Sequence, residues 1–388
     1  MATPQRLRVA FVLDDINRSG GMGRVVLEHA ERLARHHDVH LVCATLRDLR
    51  SDDVTVHYVR LPELPHALRV PLFALRSSAA VRGKDFDVIV SQGPNCLAQT
   101  AMLMHFCSAA CRDRMRTVSP RSLAPSLGHR AAKSVWHAYC VAIEKWLCRK
   151  LRGRVIAVSE GLARDLEGAY GLTEGDVRVV PNGVDAEEFR PENKATLGRA
   201  FREEHAIPHS GFVAAFVGGD WALKGLDHAI RALELVGDRD IHLVVAGDGD
   251  REAFGELVGP TARQRLHFVG WLRSSHAVYA AADVFVFPSY FESFPLVVLE
   301  AAAAGLPLLA PRLNGVEDTL VDGDNGLVIR RQPEDVGAKL CRLHDDRALR
   351  GRMSRAARKA ISTYSWEAAA ERLDRCLRRI RDAEAAPC

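Results

Sequence analysis

Two carboxylates separated by seven residues, Glu292 and Glu300, stand in the stretch YFESFPLVVLEAAAAGLPLLAP (290–311). Glu292 falls in a turn that follows Pro288, and Glu300 falls inside an apolar, alanine-rich run. A carboxylate among Val and Ala is expensive unless hydrogen-bonded. Two sugar hydroxyls, such as a ribose diol, would satisfy it; on the wet face of an amphipathic helix it would need neither. Pro295 suits the first turn of a helix beginning at Leu296, whose free amides offer an anion site. Upstream, FVGGDWALKG sets Lys224 just after the glycine turn Gly218–Gly219. An ammonium there can neutralise a phosphate as a point charge, or simply face water. RSGGMGR (18–24) offers Gly20, Gly21 and Gly23 between a strand and a helix, where backbone can approach an anion closely. It lacks the full GxGxxG and the acid about 20 residues on, so it is no dinucleotide fingerprint.

The surrounding patterns place these residues at the ends of strands. LRVAFVLDD, VHLVCAT, VTVHYVRL, FDVIVSQG, AMLMHFC and RVIAV read as buried strands, and helical periodicity fills the gaps. Val25, Val26, His29 and Leu33 recur near helical spacing after the glycine loop, and Ser159 reads as a helix cap. The pattern then restarts with GFVAAFVGG, IHLVVAGDGD, LHFVGWL, VFVFPSY and LPLLAPR. Alternation of strand and helix implies parallel βα units in doubly wound sheets. NGVDAEEFRPENKATLG reads as a linker, so two α/β domains of similar size are expected in tandem. Ligands of such sheets sit at the carboxyl ends of the strands, and the cleft between two such domains is the default site.

Composition narrows the class. The chain has 388 residues, 47% apolar and 26% charged, with a net charge of +4. This is ordinary globular composition with no global electrostatic case for nucleic acid. No apolar run reaches the roughly 20 residues that span a bilayer, and the N-terminal run is too short for a signal peptide. A cytoplasmic location is expected. Nine scattered cysteines with no CxxC read as buried reduced thiols. One region is unbalanced: Arg112, Arg114, Arg116, Arg121, Arg130, Lys133, Lys145, Arg149, Lys150, Arg152 and Arg154 face only two acids, Asp113 and Glu144, while the remainder of the chain is net acidic. Trp136, Tyr139 and Trp146 interleave. Such a stretch can lie on an anionic membrane surface or hold a phosphorylated glycolipid, or be a solvated helix face. No nucleic-acid recognition module surrounds it.

YFESFPLVVLE resembles the E-x7-E signature of retaining glycosyltransferases with the GT-B architecture, in particular family 4. SGGMGR, VIAVSEGL, VVPNGVDAEEF, FVGGDWALKGL, VVAGDGD, FVGW and AAAAGLPLLAP are similar to further motifs of that family, in the same order, over nearly the whole chain. VGGDWALKGLD is similar to the version in lipopolysaccharide-core glucosyltransferases. The resemblance implies an acceptor-binding Rossmann-like domain over 1–190, with helix 367–388 packing back on it, and a nucleotide-sugar-binding one over 191–366, facing a central cleft. It implies that Glu292 contacts the donor sugar, Glu300 the ribose hydroxyls, and Lys224 and Gly21 the donor diphosphate, and that His105 lies near the reacting centre. Gly20, Arg24, Gly218, Gly219, Leu272, Ser293, Phe294 and Leu296 complete the implied donor site. Many members place Arg five residues before the Lys; here that position is Gly219, so another cation, Arg24, is expected to share the diphosphate.

The implied chemistry needs no metal and no cofactor. Cleaving the C1–O bond of a sugar nucleotide puts negative charge on the diphosphate, and Lys224, loop amides and helix N-termini are fixed dipoles aimed at it. Asp14 and Asp15, at the end of the first strand, are adjacent rather than spaced as a DxD pair. The expectation is a cytoplasmic, metal-independent retaining enzyme, peripheral on the inner face of the membrane through the Arg112–Arg154 stretch. It would move a hexose-type sugar from a nucleotide diphosphate, UDP rather than GDP, to a cell-envelope glycolipid or lipopolysaccharide-type acceptor. Rival readings are a natural-product glycosyltransferase with a soluble acceptor, a GT-B epimerase acting on UDP-sugars, and a non-catalytic nucleotide-sugar-binding protein.

Overall fold

Near-continuous apolar strands such as RVAFV, VIVSQ and AMLM can be buried on both faces only if helices cover both sides, which is the habit of parallel sheets. The computed structural model, which describes residues 5–117 and 127–385, builds two sheets of this kind. The chain divides into one unit of residues 1–182 together with 366–388, and a second of residues 183–365.

The first unit carries strands β1 (Arg8–Val12), β2 (Asp15–Ile16), β3 (Asp38–Cys43), β4 (Thr45–Leu46), β5 (Val54–Tyr58), β6 (Val88–Gln92), β7 (Ala101–Met104), β8 (Val155–Ala157) and β9 (Val177–Val179). Seven of them form a parallel sheet in the order β5-β3-β1-β6-β7-β8-β9, and β2 pairs with β4 beside it. The winding direction reverses between β1 and β6, so the carboxyl ends there open a crevice. The helix Gly21–Leu33 buries Val25, Val26, His29 and Leu33, the face expected from their spacing. It packs on the last helix, Trp366–Ala385: the His29 ring stands edge-on to Trp366 at 6.1 Å, and Arg32 Nε bonds Glu367 at 2.8 Å. Ser159 caps the helix Glu160–Tyr170 by accepting from the Leu162 amide at 3.0 Å.

The second unit carries β10 (Phe212–Val217), β11 (Ile241–Ala246), β12 (Leu266–Gly270), β13 (Val284–Val286), β14 (Leu308–Ala310) and β15 (Gly326–Val328), in the order β12-β11-β10-β13-β14-β15. The reversal lies between β10 and β13. Its core gathers Phe216, Ile230, Leu233, Leu243, Val245, Val286 and Leu340. Residues 183–190, placed in the first domain by the sequence reading, group with this unit: the Val184 amide donates to Tyr364 O at 2.7 Å, and Arg358 Nη1 to Ala186 O at 2.7 Å. The described cysteines are free thiols, most of them buried. Among the described residues, no helix is long and apolar enough to cross a membrane.

Candidate functional site

In the second unit the loop after β10 lies against the turn after β13. Gly225 makes this possible: its φ is +67°, and a Cβ there would stand 2.3 Å from Pro288 O. The Tyr290 amide donates to Leu223 O at 3.0 Å and fixes the contact. Lys224 is thereby held with Nζ 2.6 Å from Glu292 Oε1, and the same oxygen accepts the Ser289 hydroxyl at 2.8 Å. Glu292 and Ser289 are buried, and Lys224 Nζ also lies 5.6 Å from the centre of the Phe287 ring. A Cβ on Gly219 would meet nothing within 4 Å, so packing does not demand glycine there. A further cation is fixed nearby: Arg331 Nε donates to Ser289 O at 2.8 Å, with its guanidinium over the Tyr290 ring at 5.4 Å. Sequence reasoning missed Ser289 and Arg331. Ser289 lay inside a quoted motif; nothing local distinguishes Arg331.

Glu300 sits on the helix Leu296–Ala303, which begins after Pro295 with no side-chain cap. The carboxylate is buried, and its Oε2 accepts from Tyr279 Oη at 2.9 Å and Ser275 Oγ at 3.1 Å. The protein thus supplies hydroxyls to one oxygen of the acid, where the sequence suggested only ligand hydroxyls. Ser293 and Phe294 are buried in the turn before this helix, and Leu272 is half-buried just beyond β12.

In the first unit the glycine loop is organised by Asn17. Its Oδ1 accepts from the Gly20 amide at 2.8 Å and from Ser19 Oγ at 2.6 Å, and its Nδ2 donates to Asp15 at 2.7 Å. A Cβ on Gly23 would lie 2.5 Å from Asn17 O, so Gly23 is required by close backbone approach. Gly21 is different: a Cβ there meets nothing within 4 Å, so the protein's own packing does not explain it. Arg24 follows on the first turn, its amide bonded to Gly20 O at 2.9 Å. Asp14 is clamped by Arg69 at 2.8 and 3.0 Å, and Asp15 by Asn17 and Thr45. His105 follows β7, with Nε2 2.7 Å from Gln92 Oε1; burial pushes its pKa down to about 4 and keeps the ring neutral. The structure brings Lys224 to Glu292 and, in the other unit, His105 to Gln92. Among the described residues, no group of three or more His, Cys, Asp or Glu is placed to hold a metal ion.

Several described cations of the basic stretch are held by the protein itself. Arg114 bonds Asp165 at 2.9 Å, Arg149 Nε donates to Tyr170 O at 2.9 Å, Arg152 to Gly171 O at 3.0 Å, and Lys150 to Leu97 O at 3.3 Å. Arg112 pairs with its neighbour Asp113 at 3.3 Å. Trp136 stacks on Tyr139 at 5.3 Å and meets His66 edge-on. Arg121 lies outside the described residues, as do the side chains of Arg116, Arg130 and Lys133.

Two Rossmann-like units with parallel sheets, and a lysine–carboxylate pair at the strand ends of the second, define a GT-B architecture. Solved structures agree on the fold: WaaG, a glycosyltransferase involved in lipopolysaccharide biosynthesis, superposes with a TM-score of 0.77 over 94% of this chain and 98% of its own, at 19% identity. Anabaena HepE, solved with UDP and glucose, gives 0.72 over 96% and 100%, at 16% identity. The family model Glycosyltransferase Family 4 matches residues 19–188, and Glycosyl transferases group 1 matches residues 211–346. The chain thus carries a glycosyltransferase family 4 domain followed by a glycosyl transferases group 1 domain. Among curated proteins it is similar to D-inositol 3-phosphate glycosyltransferase of Thermomonospora curvata, 34% identical over 57% of this chain and 55% of that protein. It is also similar to D-inositol 3-phosphate glycosyltransferase 2 of Catenulispora acidiphila, 37% identical over 50% and 48%. The chain spans about half the length of the curated relatives it matches.

Proposed function

We propose that the protein is a retaining, metal-independent glycosyltransferase that moves a hexose-type sugar from a UDP-sugar to a hydroxyl acceptor. The observation that carries this reading is the Lys224–Glu292–Ser289 constellation: one ammonium and one carboxylate, 2.6 Å apart, at the carboxyl end of a doubly wound sheet. In the proposed reaction the donor C1–O bond breaks, and its electron pair goes to the diphosphate. Lys224 and the amides at the glycine loop and at Leu296 stabilise that charge. The acceptor hydroxyl attacks C1 from the same face and passes its proton to the departing phosphate oxygen. Glu292, kept beside Lys224, faces the oxocarbenium-like sugar, Glu300 holds the ribose diol, and His105 positions the donor. UDP is favoured over GDP on the resemblance of the motifs and on HepE, a fold neighbour solved with UDP.

The acceptor reading is a cell-envelope glycolipid of lipopolysaccharide type, met by a protein that works in the cytoplasm on the inner face of the membrane. A small phosphorylated polyol is the second reading, favoured by the inositol-phosphate enzymes among its relatives. The test is UDP release from a panel of UDP- and GDP-sugars, with anomer analysis of the product, against glycolipid and inositol-phosphate acceptors. Donor hydrolysis or transfer with Glu292 and Lys224 intact supports the enzyme. Tight UDP-sugar binding with neither would favour a non-catalytic binding protein, and a free epimerised sugar with UDP would favour the epimerase.

A further inference from the structure

Gln92 is the last residue of β6, in the run VIVSQ, and is 2% exposed. A buried amide is costly unless its groups are hydrogen-bonded. Its Nε2 has no hydrogen-bond partner among the described residues, while its Oε1 lies 2.7 Å from His105 Nε2. The backbone around it is fixed independently of the side chain: Gln92 pairs in register with Leu103, Asn95 Nδ2 donates to Gln92 O at 2.5 Å, and the Gly93 amide donates to Leu103 O at 2.9 Å. An apolar side chain would satisfy the strand without leaving a buried amide nitrogen unpaired, and the side chain's contact among the described residues is with His105. Both residues stand at the carboxyl ends of adjacent parallel strands, next to the winding reversal at β1 and β6.

The chemistry of this pair differs from the usual histidine–carboxylate couple. An amide oxygen accepts a proton-bearing nitrogen without adding charge, so it sets the tautomer and leaves the ring neutral. Burial pushes the same way, lowering the His105 pKa and keeping the ring neutral. We propose that Gln92 is a positioning residue that locks His105 in the neutral tautomer protonated on Nε2, so that Nδ1 is presented as a hydrogen-bond acceptor to a hydroxyl of the donor sugar. The target hydroxyl rests on the transferase reading above; the tautomer lock does not.

The test is a long-range ¹H–¹⁵N imidazole spectrum of the full-length protein, with His105→Asn used to assign the signal. The wild type should show a neutral His105 protonated on Nε2 and no titration between pH 7 and 5. Gln92→Glu is close in shape but brings a carboxylate to the ring; the His105 pKa should rise, and the acid limb of the kcat profile should move up in pH. Gln92→Met should give a mixture of tautomers, with kcat/KM down about tenfold, the scale of one lost hydrogen bond, and an unchanged circular dichroism spectrum. A wild-type His105 protonated on Nδ1, or a tautomer indifferent to Gln92→Met, would overturn the proposal, and the wild-type spectrum decides this even where a variant folds poorly. If no transfer is detected with any sugar nucleotide but the tautomer follows Gln92, the lock stands and the transferase reading alone fails.

Discussion

Lys224 Nζ lies 2.6 Å from Glu292 Oε1, and the two side chains are only 22% and 9% exposed. The pair is held by the protein's own contacts: the loop after β10 is locked onto the turn after β13 by Gly225 and by the Tyr290–Leu223 hydrogen bond. In the proposed reaction each charge has its own task, the ammonium on the diphosphate and the carboxylate on the sugar. The ion pair places both before the donor arrives, so little reorganisation is left for the chemical step.

That arrangement separates stability from activity. Lys224→Ala leaves Glu292 buried with an unpaired charge, which should cost about 3 kcal/mol, and should lower kcat by about 10² or more. Lys224→Met combined with Glu292→Gln removes both charges. Most of the lost stability should return in urea melts while turnover stays low. A double variant as active as wild type would remove Lys224 from the reaction.

Glu300 makes a two-part prediction. Glu300→Ala should weaken UDP binding by at least tenfold, since charge-assisted hydrogen bonds are worth about 1.5–3 kcal/mol each. Tyr279→Phe removes one of the hydroxyls that orients the carboxylate and should cost several-fold in UDP affinity with no loss of ¹H dispersion. Calorimetry with UDP measures both. Equal dissociation constants for wild type and Glu300→Ala would exclude the ribose role.

Buried histidines should weaken the fold in acid. Burial, helped by the charges of His105 and Arg32, pushes the His29 pKa down to about 3, and burial lowers that of His105 to about 4. Below the ordinary histidine value of about 6.5 the unfolded chain takes up these protons and the folded one does not. Stability therefore falls with pH, by about 1.4 kcal/mol per pH unit for each such group, until the folded value is reached. Glu144, raised by burial, works in the opposite direction and softens the fall. His29→Phe keeps a ring against Trp366 and removes one proton uptake. Its melting temperature should decline less steeply than that of wild type between pH 6.5 and 4.5; parallel declines would show that His29 is not responsible.

Strands and helix starts were legible because their causes are local. Apolar runs marked β1, β6, β10 and β11, and Ser159 marked its helix by being a cap in sequence as in space. Glu300 stood out in the sequence from the cost of an acid in an apolar helix. What satisfies that acid did not, because Tyr279 and Ser275 reach Glu300 from a different helix and loop, about 20 residues away. Gln92 read as one more strand residue, since its value appears only when β7 lies beside β6 and brings His105 across. The boundary near 190 slipped because the linker's composition is polar and acidic, whereas its allegiance is decided by the bonds from Val184 to Tyr364 and from Ala186 to Arg358.

The membrane expectation can be tested on one helix. On the helix Leu127–Lys150, Val135, Tyr139 and Trp146 are 71%, 39% and 50% exposed. At about 100° per residue they fall within roughly 40° of one another, so they form one outward apolar stripe. Trp136 is turned away from that stripe, towards His66. Lys150 lies at the stripe's end with Nζ 5.3 Å from the centre of the Trp146 ring. Arg149 and Arg152 are held by the carbonyls of Tyr170 and Gly171, so replacing them would test the fold as much as the membrane. Tyr139→Ser with Trp146→Ser removes the two half-exposed rings of the stripe, the first of them stacked on Trp136, and Lys150→Glu reverses an exposed charge that also bonds Leu97 O. If the helix lies on an anionic surface, wild type should co-sediment with anionic vesicles at low salt and be released at high salt, because exposed charges are screened over about 8 Å at physiological ionic strength. The Tyr139/Trp146 variant should lose binding at every salt concentration, and Lys150→Glu, a change of two charge units, should lose more than the roughly fivefold that one basic residue near the leaflet is worth, about 1 kcal/mol. Equal recovery of wild type and the double serine variant from anionic and zwitterionic vesicles would remove the membrane reading and leave the soluble phosphorylated acceptor as the better one.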